Sequence, residues 1–206
     1  MNWLGGQVQD TLRELRRRNN GKTQLQDVAT LMDDNLYERD VLIAAKVMTT
    51  SPYVTTRVQA IKDLGHIAWS GGPPIAKFAG SYLVNLMSIA SDVSMPMSMR
   101  LAATQAIGNI CSSSKDAKDR TSTMGMVEVL CEILQESGPE HSALRKNAVQ
   151  SLLIVLCDNR ENQTSAVQYK GLKETLSRIS EEDWTAWSLN EAERLGSFLG
   201  FDREMN

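Results

Sequence analysis

Aromatic residues make up only 5% of this 206-residue chain, and its strongest uninterrupted apolar stretch, Leu152 to Cys157, is six residues long. The first scarcity disfavours a sandwich or barrel, whose strands draw on β-branched and aromatic side chains, and the plentiful Leu, Ala, Ser and Met favour helices. The second leaves no segment able to span a bilayer, which needs about 20 apolar residues. Cysteines are also few. Cys111, Cys131 and Cys157 are odd in number and lack CxxC spacing. Each falls in an apolar run, so all three are expected to be reduced core residues. Met1-Asn2-Trp3-Leu4 runs into Gly5-Gly6 without the apolar region of a signal peptide. A cytoplasmic address follows, with the nucleus as the alternative. The net charge of −3 offers no general attraction to phosphate backbones, so no nucleic-acid partner is expected.

Motifs that carry chemistry are missing as well. The two histidines, His66 and His141, lie far apart and have no neighbours spaced for zinc or for a nucleophile. There is no GxGxxG, P-loop or GxSxG. The carboxylates Glu181, Glu182 and Asp183 read as a helix start behind Ser180, not as a general acid–base pair. Met95-Pro-Met97-Ser-Met99 alternates thioethers as a Cu(I) site would, yet a lone run before a helix reads as packing methionine. No enzyme activity, cofactor or metal is expected.

What the chain does contain is a repeat. Arg57-Val-Gln-Ala-Ile-Lys-Asp-Leu-Gly-His-Ile-Ala68 aligns with Arg100-Leu-Ala-Ala-Thr-Gln-Ala-Ile-Gly-Asn-Ile-Cys111, with Arg145 to Leu156 and with Ser188 to Leu199. Their first residues are separated by 43, 45 and 43 positions. Apolar residues recur within each at helical spacing: Ile61, Leu64 and Ile67; Ala103, Ile107 and Ile110; Val149, Leu152 and Val155; Ala192, Leu195 and Phe198. Three copies keep a glycine after the central apolar residue, Gly65, Gly108 and Gly196, where a neighbouring helix can come close; the third copy has Leu153. A second helix family lies between, with Leu86 and Ile89, Leu130 and Ile133, and Leu176 and Ile179, and with Gly80, Gly125 and Gly171 at or near its starts.

A period of about 43 residues falls in the armadillo or HEAT range. Ala102-Ala-Thr-Gln-Ala-Ile-Gly-Asn-Ile110 resembles the last helix of an armadillo repeat. Asn159-Arg-Glu-Asn-Gln-Thr-Ser-Ala-Val-Gln-Tyr-Lys-Gly-Leu172 resembles the armadillo link through a short first helix to the glycine that opens the second. The resemblance covers roughly residues 23 to 200. It implies an all-α, armadillo-like right-handed superhelix, an α-solenoid of about four repeats with N- and C-terminal caps. Residues 1–22 would form an amphipathic N-terminal helix, with Leu4, Val8, Leu12 and Leu15 on one face, and residues 23–206 the repeat domain. Ser188-Leu-Asn-Glu191 has the form of a capping box opening the last helix, and Trp184 and Trp187 are expected to pack over the final repeat.

The resemblance also implies that the last helix of each repeat lines a concave surface that binds protein. Helical geometry selects its outward residues: Gln59, Lys62 and His66; Gln105 and Asn109; Asn147, Gln150 and Ile154; Glu193 and Ser197. Of these, Lys62, His66, Gln105, Asn109, Asn147, Gln150 and Ile154 are the candidate protein-binding residues, their amides suited to the backbone of an extended peptide. Four helices about 8–10 Å apart give a groove on the order of 30 Å, room for roughly nine extended residues. Importin-type relatives carry a Trp and an Asn four positions apart in repeat after repeat. Only Asn109 fits that pattern here, which argues against basic targeting peptides. The groove lacks the basic ladder of catenin-type relatives, and the repeated Arg57, Arg100 and Arg145 read as structural pairing at helix starts. The expected function is a non-catalytic protein-interaction module. The alternative is a structural subunit of a cytoskeletal or ciliary assembly, docking through Trp184, Trp187 or the N-terminal helix.

Overall fold

The computed structural model describes residues 36–182, Trp184 and residues 190–201. From Asp40 onward these belong to one compact unit. The N-terminal helix expected over residues 1–22, and also Trp187 and Ser188, lie outside the described residues.

All regular structure among the described residues is helical. The helices are α1 (Leu36–Thr50), α2 (Val54–Ser70), α3 (Gly72–Ala79), α4 (Leu83–Ser91), α5 (Met97–Ser113), α6 (Lys115–Ser122), α7 (Met126–Gln135), α8 (Ser142–Leu156), α9 (Arg160–Gln168), α10 (Leu172–Ser180) and α11 (Glu191–Phe198). Short 3-10 turns, Gly80–Tyr82 and Pro139–His141, lead into α4 and α8. The order repeats in threes. A short helix (α3, α6, α9) is followed by a medium one (α4, α7, α10) and then by a third (α5, α8, α11), with α1 and α2 holding the last two places of an earlier copy.

Local chemistry sets these boundaries. Ser114, Asn159 and Asn190 each accept a backbone N–H with their side chains and so open α6, α9 and α11, satisfying donors that a helix start leaves unpaired. Gly125 and Gly171 precede α7 and α10 at φ 73° and 82°, a left-handed turn that other residues adopt at a cost. Two expectations about helix ends are corrected. The last helix is capped by Asn190, whose Oδ1 accepts from the Ala192 amide at 2.9 Å, and α11 begins at Glu191. Ser180 closes α10 and does not open a helix; the Asn190 amide donates to the Ile179 and Ser180 carbonyls at that end, at 2.8 and 3.2 Å.

Corresponding helices of successive copies stack side by side, and the third helices come closest. A Cβ placed on Gly65 would lie 2.8 Å from the Ala106 Cα, and one on Gly108 would lie 2.8 Å from the Ser151 Oγ. The Ser151 hydroxyl donates to the Thr104 carbonyl at 2.8 Å, tying α8 to α5. Ile61, Leu64, Ile107, Ile110, Leu130, Leu152 and Val155 are fully buried between the layers, each such side chain contributing about 1.5–3 kcal/mol. Met99 is buried too, with Met95 and Met97 packed against the core, so this run serves packing. Trp184 packs against the same core and donates its Nε1–H to Glu182 at 3.2 Å.

The repeated arginines are structural. Arg57 Nε donates to the Met48 carbonyl at 2.8 Å, Arg100 Nε to Ala90 at 2.9 Å, and Arg145 Nη1 to Glu136 at 2.8 Å and Gly138 at 2.9 Å. Each thereby closes the carbonyl end of the medium helix of its own copy, where a cation is favoured. Two of them also reach forward. Arg100 forms a bidentate pair with Glu136, and Arg145 pairs with Glu182 at 2.7 Å. Burial raises the Glu182 carboxyl, but hydrogen bonds from Arg145 and Trp184 outweigh it and hold the group below its usual 4.5. A carboxylate whose folded value is depressed stabilises the fold fully above that usual value, and the contribution fades as pH falls through the folded one. Glu182→Gln should therefore lower the urea midpoint at neutral pH, and the gap from wild type should close in acid well below pH 4.5. An unchanging gap would assign the loss to shape and not to charge.

The cysteines divide. Cys111 and Cys131 are buried, and burial pushes both thiols up to about 12. Cys157, expected in the core, is exposed instead because it is the residue that ends α8 and not part of its apolar face. Iodoacetamide should alkylate one thiol of the native chain and three of the unfolded one, read by intact mass; fast reaction of a second native thiol would contradict this burial.

Candidate functional site

On α5 and α8 one side packs on the medium helix of the same copy, the flanks meet the third helices on either side, and the remaining face is open; α2 and α11 each meet one such neighbour among the described residues. The open face on α2 carries Lys62, His66 and Trp69, spaced i, i+4 and i+7 so that they align along one stripe. All three are exposed, Trp69 to 60%. The His66 and Trp69 rings lie 6.3 Å apart between centroids. Gln59, a turn before Lys62, donates to Asp63 at 2.8 Å. Burial nonetheless raises the Asp63 carboxyl above its usual range, against Gln59 and the nearby His66.

The equivalent stripe on α5 is Gln105, Asn109 and Ser112. Gln105 and Ser112 are exposed, whereas Asn109 is half-buried at the seam, its Nδ2 beside Gly65. On α8 the stripe is Gln150 and Ile154, with Cys157 just beyond the helix end and Asn147 half-buried one turn earlier. On α11 it is Glu193 and Ser197, both exposed.

Of the seven candidate residues, Lys62, His66 and Gln105 are exposed, whereas Asn109, Asn147, Gln150 and Ile154 are half-buried, and the last two depart further from expectation. Gln150 is not free: its amide donates to both carboxylate oxygens of Glu191, at 3.0 and 2.9 Å. Ile154 is half-buried against the core near Gly108 and does not project outward. Apolar Phe198, which its spacing places in the core, is 48% exposed, while its counterparts Ile110 and Val155 are fully buried and Ile67 is half-buried; α11 is the last helix among the described residues. The residue missed is Trp69. Its signal was present in the sequence, since the stripe through Lys62 and His66 reaches it one turn later.

Chemically the face is a line of amides and hydroxyls with a cation on its first helix, carboxylates on its last and one exposed indole. Such groups recognise backbone and side-chain polar atoms. Among the described residues no cluster of His, Cys, Asp and Glu is arranged to hold a metal ion, and no helix is long and apolar enough to cross a membrane.

No curated protein and no solved structure matches the chain. A family model does: the one described as armadillo-like helical domain-containing protein 2 matches residues 22–203, which takes in all the described helices. With three helices per copy, a left-handed glycine before the medium helix of two copies and third helices in close register, the chain belongs to the armadillo-like helical domain-containing protein 2 family.

Proposed function

We propose that this chain is a non-catalytic protein-interaction module that binds an extended segment of a partner protein across the open faces of α2, α5, α8 and α11. The observation carrying this reading is Trp69, a large apolar side chain left 60% exposed on the same stripe as Lys62 and His66 and in line with Gln105. An indole in that position costs solubility and supplies what an interface anchor needs, broad contact area with little conformational entropy to lose. Gln105, Asn109 and the free carbonyl of the Gln150 amide then serve the partner's backbone. The cytoplasmic address belongs to the same proposal.

The test uses exposed positions, so folding is preserved. Trp69→Ala with Gln105→Ala is compared with the unaltered chain in affinity capture from a cell lysate, after circular dichroism has shown equal helicity. A partner that the double variant loses supports the face, and the loss should be at least tenfold, as for an anchor worth about 2 kcal/mol. If every partner survives, the face is not the site. The second reading, a structural subunit docking through its ends, gains its own observation in exposed Phe198. It requires Phe198→Ser to release a partner that Trp69→Ala retains.

A further inference from the structure

The open face is electrically directed, and from this we infer that its ligand is a peptide of mixed charge: an acidic residue at the end that lies on α2 and a basic residue at the end that lies on α11. The inference rests on the proposed binding face and names the chemistry that would fill it. Its basis is the position shared by all four third helices, occupied in turn by Lys62, Gln105, Gln150 and Glu193. Lys62 is exposed and forms no ion pair with the described residues; the adjacent Asp63 is instead hydrogen-bonded to Gln59. Gln105 is exposed and neutral. Gln150 is drawn to the carboxylate of Glu191, and Glu193 is exposed beside it. Arg194, one residue further, lies about 100° around the helix from Glu193 and so leaves the negative end in place.

The line therefore runs from one cation through two amides to two carboxylates. A peptide of a single sign meets attraction at one end and repulsion at the other, while one carrying both signs in the matching order satisfies both. The three helix spacings between Lys62 and Glu193, about 8–10 Å each, set the separation of the two charges at roughly seven to nine extended residues. An apolar residue near the acidic end would cover Trp69.

The test pans a phage-displayed library of random dodecapeptides over the intact chain and over Lys62→Glu and Glu193→Lys. Both substitutions are at exposed sites, and circular dichroism checks their folding. Recovered peptides are made with a fluorescein label and titrated by polarisation. Wild type should select peptides with Asp or Glu separated from Lys or Arg by about seven to nine positions. Lys62→Glu should select peptides basic at both ends, and Glu193→Lys peptides acidic at both. Each single variant should weaken a wild-type peptide about two- to fivefold, the scale of one exposed pair. Peptides that need Trp69 but whose charges ignore both variants would overturn the directed charge and leave the binding face standing. Peptides that bind Trp69→Ala with Gln105→Ala unchanged, or no selected peptide at all, would overturn both.

Discussion

Arg100→Ala is expected to destabilise the fold by about 3–5 kcal/mol, the largest loss we assign to any one side chain. The guanidinium is 2% exposed. It closes the Ala90 carbonyl at the end of α4 and holds both oxygens of Glu136 beyond α7, so one side chain satisfies groups in two copies. Truncation leaves Glu136, 19% exposed, beside His141 alone, with its Oε2 2.8 Å from the imidazole, and strands the Ala90 carbonyl in a buried seam. A charge left buried without its partner costs far more than the pair contributed, which separates this site from surface ion pairs worth less than 1 kcal/mol. Arg100→Lys should recover only part of the loss, because an ammonium cannot span a carbonyl and two carboxylate oxygens together. Urea unfolding followed by circular dichroism measures both. A loss below about 1 kcal/mol for the alanine variant would mean that water reaches the pair freely.

Gly65→Leu is expected to cost about 3 kcal/mol. Even the first added atom would lie 2.8 Å from the Ala106 Cα and 3.0 Å from its Cβ, and a backbone atom of a packed helix cannot turn aside. The remedy is to part α2 from α5, which opens the layer holding Ile61, Leu64 and Ile107. Gly65→Ala suffers the same clash in smaller measure, offset by about 1 kcal/mol of helix propensity. Gly108→Ala separates the two effects. Its new Cβ meets the Ser151 Oγ, which can rotate away at the loss of one hydrogen bond to Thr104, roughly 1 kcal/mol. The helix gain nearly cancels that, so Gly108→Ala should lie close to wild type. Equal losses at Gly65 and Gly108 would show that clash distance does not govern the spacing of these helices.

Much of the stack was readable because its spacing is carried by apolar residues. The third helices repeat Leu64, Ile107 and Leu152 at one position, and the medium helices repeat Ile89, Ile133 and Ile179. The short helices α6 and α9 left no such trace. Apart from Ala117 and Ala166, what they bury is polar, Thr121 and Asn162, and these recognise each other across copies at 2.9 Å. Asn162 also donates to the Val155 carbonyl. Periodicity of hydrophobic residues is blind to a contact of that kind. The candidate face was legible in its register but not in its occupancy. Nothing in the sequence pairs Gln150 with Glu191, 41 positions away, and Cys157 reads as core until the helix is seen to end there. Trp69 is hidden for a different reason: its counterparts one period on, Ser112 and Cys157, are small, so no repeated side chain marks the position.

The pairing of Arg100 with Glu136 and of Arg145 with Glu182 makes the array directional in assembly. Each seam takes its cation from the earlier copy and its anion from the later one. Cutting the chain before Glu182 would leave Arg145, 3% exposed, without a counter-ion, and cutting before Glu136 would do the same to Arg100. Trimming from the opposite side removes the cation and leaves its carboxylate, Glu136 at 19% or Glu182 at 21% exposed, without it. Fragments of this protein are therefore told apart by sign: one that keeps the earlier copies ends on an unpaired guanidinium, and one that keeps the later copies begins on an unpaired carboxylate.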